Sequence, residues 1–334
     1  MSAPFIVAEI GAAHNGSLDR AMTLVEEAAK AGADGVKFQT WTEMALPGKV
    51  IESGPWAGRD LRELYEEART PWAWHAPLFD RARSLGMVPF STPFDAPSVN
   101  LLEHLGCPIY KVASCEIVDT PLIRHIASKG NPMILSTGMA SEDEISAALE
   151  AAMDGGLNMR DVTLLHCIAA YPAPAEEFNL ETMLDLRGFG CDVGLSDHSS
   201  GRAVAVAATA LGATVIEKHI GLDHSGPDGG FCMLPDEFAA MVRDCRTAAR
   251  AMGVVEYGPK PAEMSTYGLR RSLWVTRDVK AGDLVSADNV ASLRPSGGMI
   301  PEFLRYAIGA TFTQDVEAGR PLLLPLVVPP LDTP

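Results

Sequence analysis

Along most of the chain, short runs rich in β-branched and apolar residues end on groups that can do chemistry. These are Glu9, Lys37 with Gln39, Thr92, Lys111 with Ser114, Ser136, His166, Ser196 with His198, and Glu217 with His219. Side chains alternate faces along a strand, so Lys37 and Gln39 share one face, as do Ser196 and His198, and Glu217 and His219. One such residue reads as an ordinary buried, hydrogen-bonded group. A set at the same end of eight successive strands does not, because buried charges need partners or ligands. Lys37 and Lys111, with the hydroxyls of Thr92, Ser114 and Ser136, are the donors a phosphate or carboxylate requires. Either lysine is also suited to form a Schiff base with a carbonyl substrate. His198 and His219 offer two imidazoles with no intervening cysteine, which suits a divalent metal that keeps positions open for water or substrate oxygen. Two histidines satisfied by core hydrogen bonds would look the same, and spacing alone does not separate the two readings. Asp228, in Gly226-Pro-Asp-Gly-Gly230, reads by its local context as a turn residue.

The elements that must position these groups are eight strand candidates. They are Phe5 to Gly11, Gly35 to Thr40, Met87 to Thr92, Ile109 to Ser114, Pro132 to Thr137, Val162 to Cys167, Asp192 to His198 and Thr214 to Ile220. Amphipathic stretches lie between them. Ser141 with Glu144 forms a capping box, after which Ile145, Ala148, Leu149 and Ala152 recur at helical spacing. Pro235 stands at a first helical position, ahead of Phe238, Met241, Val242 and Cys245 on one face. Eight β/α units in series predict a closed (β/α)8 TIM barrel rather than an open sheet, and in such a barrel the C-terminal strand ends share one mouth. After residue 257 the pattern changes. A connector over 258–270 precedes a small β-rich domain over 271–334, in which Thr276-Arg-Asp-Val-Lys-Ala-Gly-Asp-Leu284 is echoed by Thr313-Gln-Asp-Val-Glu-Ala-Gly-Arg-Pro-Leu322.

Of the 334 residues, 47% are hydrophobic, enough for one large core and a smaller one. No apolar run reaches the roughly 20 residues needed to cross a bilayer, and the first residues lack a basic segment with a cleavage site. The six cysteines form no C-x-x-C pair, as expected of reduced thiols in a cytoplasmic protein. A formal charge of −16 argues against nucleic acid or an anionic membrane as partner. An anionic substrate would have to be drawn in by local cations.

The runs Ala8-Glu-Ile-Gly11, His14-Asn-Gly16, Val36-Lys-Phe-Gln-Thr40, Ser91-Thr-Pro-Phe94, Tyr110-Lys-Val-Ala-Ser114, Leu135-Ser-Thr-Gly-Met139, Tyr171-Pro-Ala-Pro174, Gly194-Leu-Ser-Asp-His198, Glu217-Lys-His219 and Gly226-Pro-Asp228 resemble, in order, those of the sialic acid synthase family. The segment from about Arg270, including Arg294-Pro295, is similar to that family's antifreeze-like (SAF) domain. Tyr65-Glu-Glu-Ala-Arg-Thr-Pro-Trp72 and Ala113-Ser-Cys-Glu-Ile-Val-Asp119 resemble the pseudaminic acid synthase branch. Ala169 stands where the neuraminate branch carries asparagine, whereas Glu9-Ile-Gly11 and Asn15-Gly16 are closer to the neuraminate pattern.

The resemblance implies a condensation of phosphoenolpyruvate with an open-chain N-acetylated amino sugar, giving a nonulosonic acid and phosphate. His198 and His219 would hold Mn2+ or Mg2+. Lys37, Thr92, Lys111, Ser114, Ser136, Ser196 and Arg270 would bind phosphoenolpyruvate. Gln39, Glu116, Tyr171 and Asp228 would surround the sugar, with Glu9 orienting water. Arg294 would reach the sugar's acyl group from the neighbouring subunit of a domain-swapped homodimer. Neuraminate and legionaminate synthases are the alternatives within the family. A Schiff-base aldolase, or an ice- or glycan-binding role for the C-terminal domain, are the alternatives outside it.

Overall fold

The computed structural model describes residues 2–42 and 48–328. Its centre is a closed, all-parallel barrel of eight strands in sequence order. They are β1 (Phe5–Glu9), β2 (Gly35–Thr40), β3 (Val88–Pro93), β4 (Tyr110–Val112), β5 (Met133–Ser136), β6 (Val162–Cys167), β7 (Asp192–Asp197) and β8 (Val215–His219). Every expected strand is present and the TIM-barrel expectation holds. β1 closes the barrel on β8, with Phe5 beside Val215 and Glu9 beside His219. This register brings the polar end of the first strand next to that of the last.

The connecting helices form where local chemistry starts and stops them. Ser141 accepts from the Glu144 amide while Glu144 Oε2 accepts from Ser141 N at 2.7 Å, so the expected capping box opens the helix Glu142–Asp154. Its Ile145, Ala148, Leu149 and Ala152 are all buried against the barrel core. Pro235 opens the helix Pro235–Met252, whose Phe238, Met241, Val242 and Cys245 are likewise buried. Outside the mouth, Lys218 and Asp197 form a fully buried ion pair at 2.9 Å. Lys218 also donates to the Ser199 carbonyl at 2.7 Å, which satisfies a charge that would otherwise be costly in the core.

The chain divides into two compact units, Met1–Gly253 and Val254–Pro334. The second has its own small core of Leu273, Val275, Val279, Val285, Val290, Ala307, Ala310, Phe312, Val316 and Leu322. Two antiparallel ladders frame it: β9 (Ser272–Val275) with β10 (Val290–Leu293), and β11 (Thr311–Phe312) with β12 (Val327–Val328). The sequence repeat becomes a local pseudo-twofold. Val279 and Val316 exchange both backbone hydrogen bonds, at 2.9 and 3.0 Å. Asp278 Oδ1 accepts from Ala318 N at 2.8 Å, and Asp315 Oδ1 accepts from Ala281 N at 3.0 Å. The six cysteines are all free thiols, and among the described residues no helix is long and apolar enough to cross a membrane.

Candidate active site

Glu9 is the hub of the mouth because strand register places Lys37 on one side of it and His219 on the other. Its Oε2 meets Lys37 Nζ at 2.6 Å, and its Oε1 accepts from Gln39 Nε2 at 2.8 Å. Lys37 also donates to Thr92 Oγ1 at 3.2 Å. Across the barrel, Lys111 Nζ donates to Ser136 Oγ at 2.6 Å and to the Val112 carbonyl at 2.8 Å. Ser114 Oγ accepts from Gly138 N at 3.1 Å. A Cβ on Gly138 would sit 2.6 Å from that oxygen, so the close approach needs glycine.

Glu217, buried and coupled by charge to both lysines, accepts from Ser196 Oγ through Oε1 at 3.2 Å. Burial opposes the charge of Lys37, but Glu217 and Glu9 outweigh it and raise the ammonium's pKa. For Lys111 burial wins, helped by repulsion from Lys37, and its pKa falls despite Glu217. Burial likewise opposes the charge of Glu217, yet Lys37 and Lys111 hold its pKa below the ordinary value. The floor of the mouth is therefore a dry lattice of opposite charges, where electrostatic interactions are stronger than in water.

The two histidines lie beside this floor, with ring centroids 5.5 Å apart. His198 Nδ1 is 2.9 Å from the Ile168 carbonyl, so Nδ1 carries the proton and Nε2 presents a lone pair. Burial, with repulsion from His219, pushes the His198 pKa down to about 3, so the imidazole is neutral in the form a metal needs. His219 Nδ1 is buried without a hydrogen-bond partner and lies 3.4 Å from Asp228 Oδ2. That oxygen accepts from Ala12 N at 2.8 Å. Donor atoms of His219, Asp228 and Cys232 all lie within 4.8 Å of one another. Burial, reinforced by Asp228 and Glu9, keeps the Cys232 thiol protonated. Two imidazoles, His198 held neutral and His219 with an orphaned buried nitrogen, beside a carboxylate fit a divalent cation.

Over the histidines lies an aromatic group. The Tyr171 ring is 4.2 Å from His198 and 4.8 Å from Phe231, and Phe231 is 5.0 Å from His219. Trp56 packs on Tyr171 at 5.4 Å and edge-on to Phe231 at 6.0 Å. Burial raises the Tyr171 phenol well above its ordinary value, so it is a neutral hydrogen-bonding group. Glu116 is half-buried, with Oε2 out of solvent and unpartnered. Burial pushes its pKa up to about 7, partly offset by Lys111.

The barrel thus assembles Glu9, Lys37, Gln39, Thr92, Lys111, Ser114, Glu116, Ser136, Tyr171, Ser196, His198, His219 and Asp228. Arg270 and Arg294 belong to the second unit. There the Arg270 guanidinium lies 5.1 Å over the Tyr267 ring and donates to its hydroxyl at 2.9 Å. Arg294 follows β10 and is exposed. One expectation is corrected: His166 does not join the mouth. It alternates with Cys167, whose register with Ser196 faces the site, and its Nε2 meets the Phe178 carbonyl at 2.5 Å. The sequence reading assigned no role to Trp56, Phe231 or Cys232, and none to Glu217 beyond its strand-end position. Glu217 had a usable signal, since it shares a strand face with His219, and Phe231 lies just past Asp228 in the loop after β8.

A parallel barrel whose mouth joins buried lysines and hydroxyls to a pair of histidines has the donors that an enzyme for anionic substrates needs. Residues 24–257 match the NeuB family model and residues 270–328 match the SAF domain, and the chain belongs to the NeuB family. It is a phosphoenolpyruvate-dependent, carbon–carbon bond-forming synthase. It is 39% identical to a pseudaminic acid synthase of Campylobacter jejuni subsp. jejuni serotype O:23/36, over 95% of each chain. It is 37% identical to an N,N'-diacetyllegionaminic acid synthase of Campylobacter jejuni serotype O:2, over 90% of this chain and 92% of that one. The structure of an N-acetylneuraminic acid synthetase from Leptospira borgpetersenii serovar Hardjo-bovis superimposes with a TM-score of 0.71 at 31% identity, covering 80% of this chain and 90% of that one. The family resemblance read from the motifs is borne out.

Proposed function

We propose that this chain condenses phosphoenolpyruvate with open-chain 2,4-diacetamido-2,4,6-trideoxy-L-altrose, giving pseudaminic acid and phosphate. The observation that carries this reading is the meeting, in one mouth, of Lys37 and Lys111 with the His198–His219 pair. The lysines answer the charge of phosphoenolpyruvate, with Thr92, Ser114, Ser136 and Ser196 completing its donors. His198 and His219 would hold Mn2+ or Mg2+, which supplies Lewis-acid polarisation at the aldehyde oxygen. Holding both reactants against this floor aligns C3 of phosphoenolpyruvate with the aldehyde carbon. As that bond forms, positive charge develops at C2, beside the carboxylates of Glu9 and Glu217. Glu9, anchored by Lys37 and Gln39, orients the water that adds at C2 and takes its proton. The tetrahedral carbon then breaks its C–O bond to phosphate and becomes the keto group, its hydroxyl proton leaving with the phosphate. The proton taken from water goes to the new alkoxide. Asp228, beside His219, borders the sugar together with Gln39, Glu116 and Tyr171. Arg270 would add to the phosphate donors, and Arg294 would reach the sugar across a domain-swapped homodimer. The resemblance supports both of these assignments.

The identity to pseudaminic acid synthases, together with Tyr65 to Trp72 and Ala113 to Asp119, supports the sugar. The similar identity to legionaminic acid synthases makes their sugar the second reading. Phosphate release with a panel of acetamido sugars decides between them. The highest kcat/KM belongs to the L-altro sugar, and a higher value for N-acetylmannosamine or the legionaminate precursor would overturn the assignment. Borohydride with a keto substrate traps no lysine adduct if the condensation reading holds.

A further inference from the structure

Trp56 is placed by a contact that its own neighbourhood does not explain. It sits on a short hairpin after β2, closed by hydrogen bonds from Ile51 N to Arg59 O at 2.9 Å and from Gly58 N to Ile51 O at 2.8 Å. Its indole N–H donates to the Pro227 carbonyl at 2.8 Å, which docks this hairpin on the loop after β8. Loops following β2, β6 and β8 thus contribute Trp56, Tyr171 and Phe231 to one aromatic cluster. Tyr171 and Phe231 rest on His198 and His219. Trp56 rests on Tyr171 and Phe231, one ring further out.

This order has a consequence for any sugar whose aldehyde reacts beside the histidines. For such a sugar, Tyr171 and Phe231 would border the carbons nearest the aldehyde, and Trp56 would meet the far end. The only hydrogen-bond donor of the indole is already used on Pro227, and the ring offers no acceptor. A hydroxyl pressed against it loses water and gains no partner, whereas a methyl group loses nothing and buries apolar area.

We propose that Trp56 is a specificity-determining residue that selects a sugar ending in a methyl group over one ending in a hydroxymethyl. The inference rests on the condensation reading above and deepens it. Asp228, between Pro227 and Phe231, ties the same loop to the metal side of the mouth, so the wall is in register with the reacting end.

The test uses the full-length enzyme with phosphoenolpyruvate and two sugars that differ only at C6: 2,4-diacetamido-2,4,6-trideoxy-L-altrose and its 6-hydroxy analogue. Phosphate release gives kcat/KM for each. The wild type favours the 6-deoxy sugar by about tenfold to a hundredfold, the range for an apolar pocket rejecting an added hydroxyl. Trp56→Ala lowers kcat/KM for the 6-deoxy sugar by about tenfold and for the hydroxy analogue by much less, so the ratio collapses. Its KM for phosphoenolpyruvate stays unchanged. Trp56→Phe, which keeps an apolar ring but loses the N–H, retains most of the ratio. Equal losses on both sugars in Trp56→Ala would show a hairpin-docking role only, and a wild type indifferent to C6 would also overturn the proposal. If the wild type releases no phosphate with any amino sugar, the parent reading fails first, a result distinct from normal turnover with an unchanged ratio.

Discussion

The Asp228 carboxylate fills the space that a side chain on Gly11 would occupy. A Cβ at Gly11 would lie 2.2 Å from Asp228 Oδ2, and Gly11 has φ +48°, in the left-handed region that favours glycine. The notch lets Asp228 accept from Ala12 N at 2.8 Å and stand 3.4 Å from His219 Nδ1. A backbone feature at the end of the first strand therefore sets where a carboxylate stands beside a histidine of the last.

Gly11→Ala should displace Asp228 from its place beside His219. Loss of an outer-sphere carboxylate of this kind costs about 10- to 100-fold in metal affinity or activity. Strain from the left-handed backbone adds roughly 1–2 kcal/mol of lost stability. Asp228→Asn, which keeps the volume, should lose activity with little change in the urea midpoint. If Gly11→Ala loses stability but keeps wild-type turnover and Mn2+ affinity, Asp228 does not act through His219.

Glu116 carries a stability signature. Its pKa lies near 7 in the folded chain because burial disfavours the carboxylate, against an ordinary value near 4.5 when unfolded. The folded state therefore binds a proton that the unfolded state has released, and stability falls as pH rises from about 4.5 through 7. Glu116→Gln mimics the protonated side chain. It should match the wild type at about pH 4 and exceed it at about pH 8 by about 2 kcal/mol, after allowance for partial exposure. Paired urea unfolding curves at the two pH values measure this, and equal differences at both would remove Glu116 as the titrating group.

How much of this was legible in the sequence follows from what each residue depends on. Glu9, Lys37, His198 and His219 were readable because strand periodicity and the direction of a parallel barrel fix where they point. His166 failed by one residue of parity: Cys167 takes the inward face, and a shift of one reverses every side chain. The same parity sends Lys218 and Asp197 outward into their buried pair. Asp228 looked like a turn residue because its burial is decided by Gly11, remote in sequence. Trp56 had no signal at all, since its partners Tyr171, Pro227 and Phe231 come from other loops. Long-range contacts between irregular segments leave no periodic trace.

The repeat in the second unit predicts equivalent aspartates. Asp278 and Asp315 each accept the alanine amide of the opposite copy, and Asp315 alone adds an exposed ion pair with Lys280 at 2.7 Å. Exposed pairs contribute little. Asp278→Ala and Asp315→Ala should therefore lower the unfolding midpoint of this unit by similar amounts, and Lys280→Ala should hardly move it. Scanning calorimetry of the full chain resolves the three. A much larger loss for Asp315→Ala, shared by Lys280→Ala, would assign the stabilisation to the ion pair.

The metal reading makes the strongest demand. His198 is held as a neutral ligand by the Ile168 carbonyl and by burial, and His219 keeps a buried nitrogen unpartnered beside Asp228. Chelation should abolish turnover, and Mn2+ or Mg2+ should restore it. Binding can be read without turnover, because free Mn2+ gives an electron paramagnetic resonance signal that is lost on binding. His198→Ala and His219→Ala should each fold, as judged by circular dichroism, yet leave the free signal intact at concentrations where the wild type removes it. Cys232→Ser should bind Mn2+ like the wild type, since its thiol is held protonated and a hard cation prefers oxygen and imidazole donors. Loss of Mn2+ binding in Cys232→Ser would move the centre toward the His219–Asp228–Cys232 cluster. Full turnover after exhaustive chelation, with metal absent by elemental analysis, would sink the metal role altogether and leave the two histidines as hydrogen-bonding groups of the mouth.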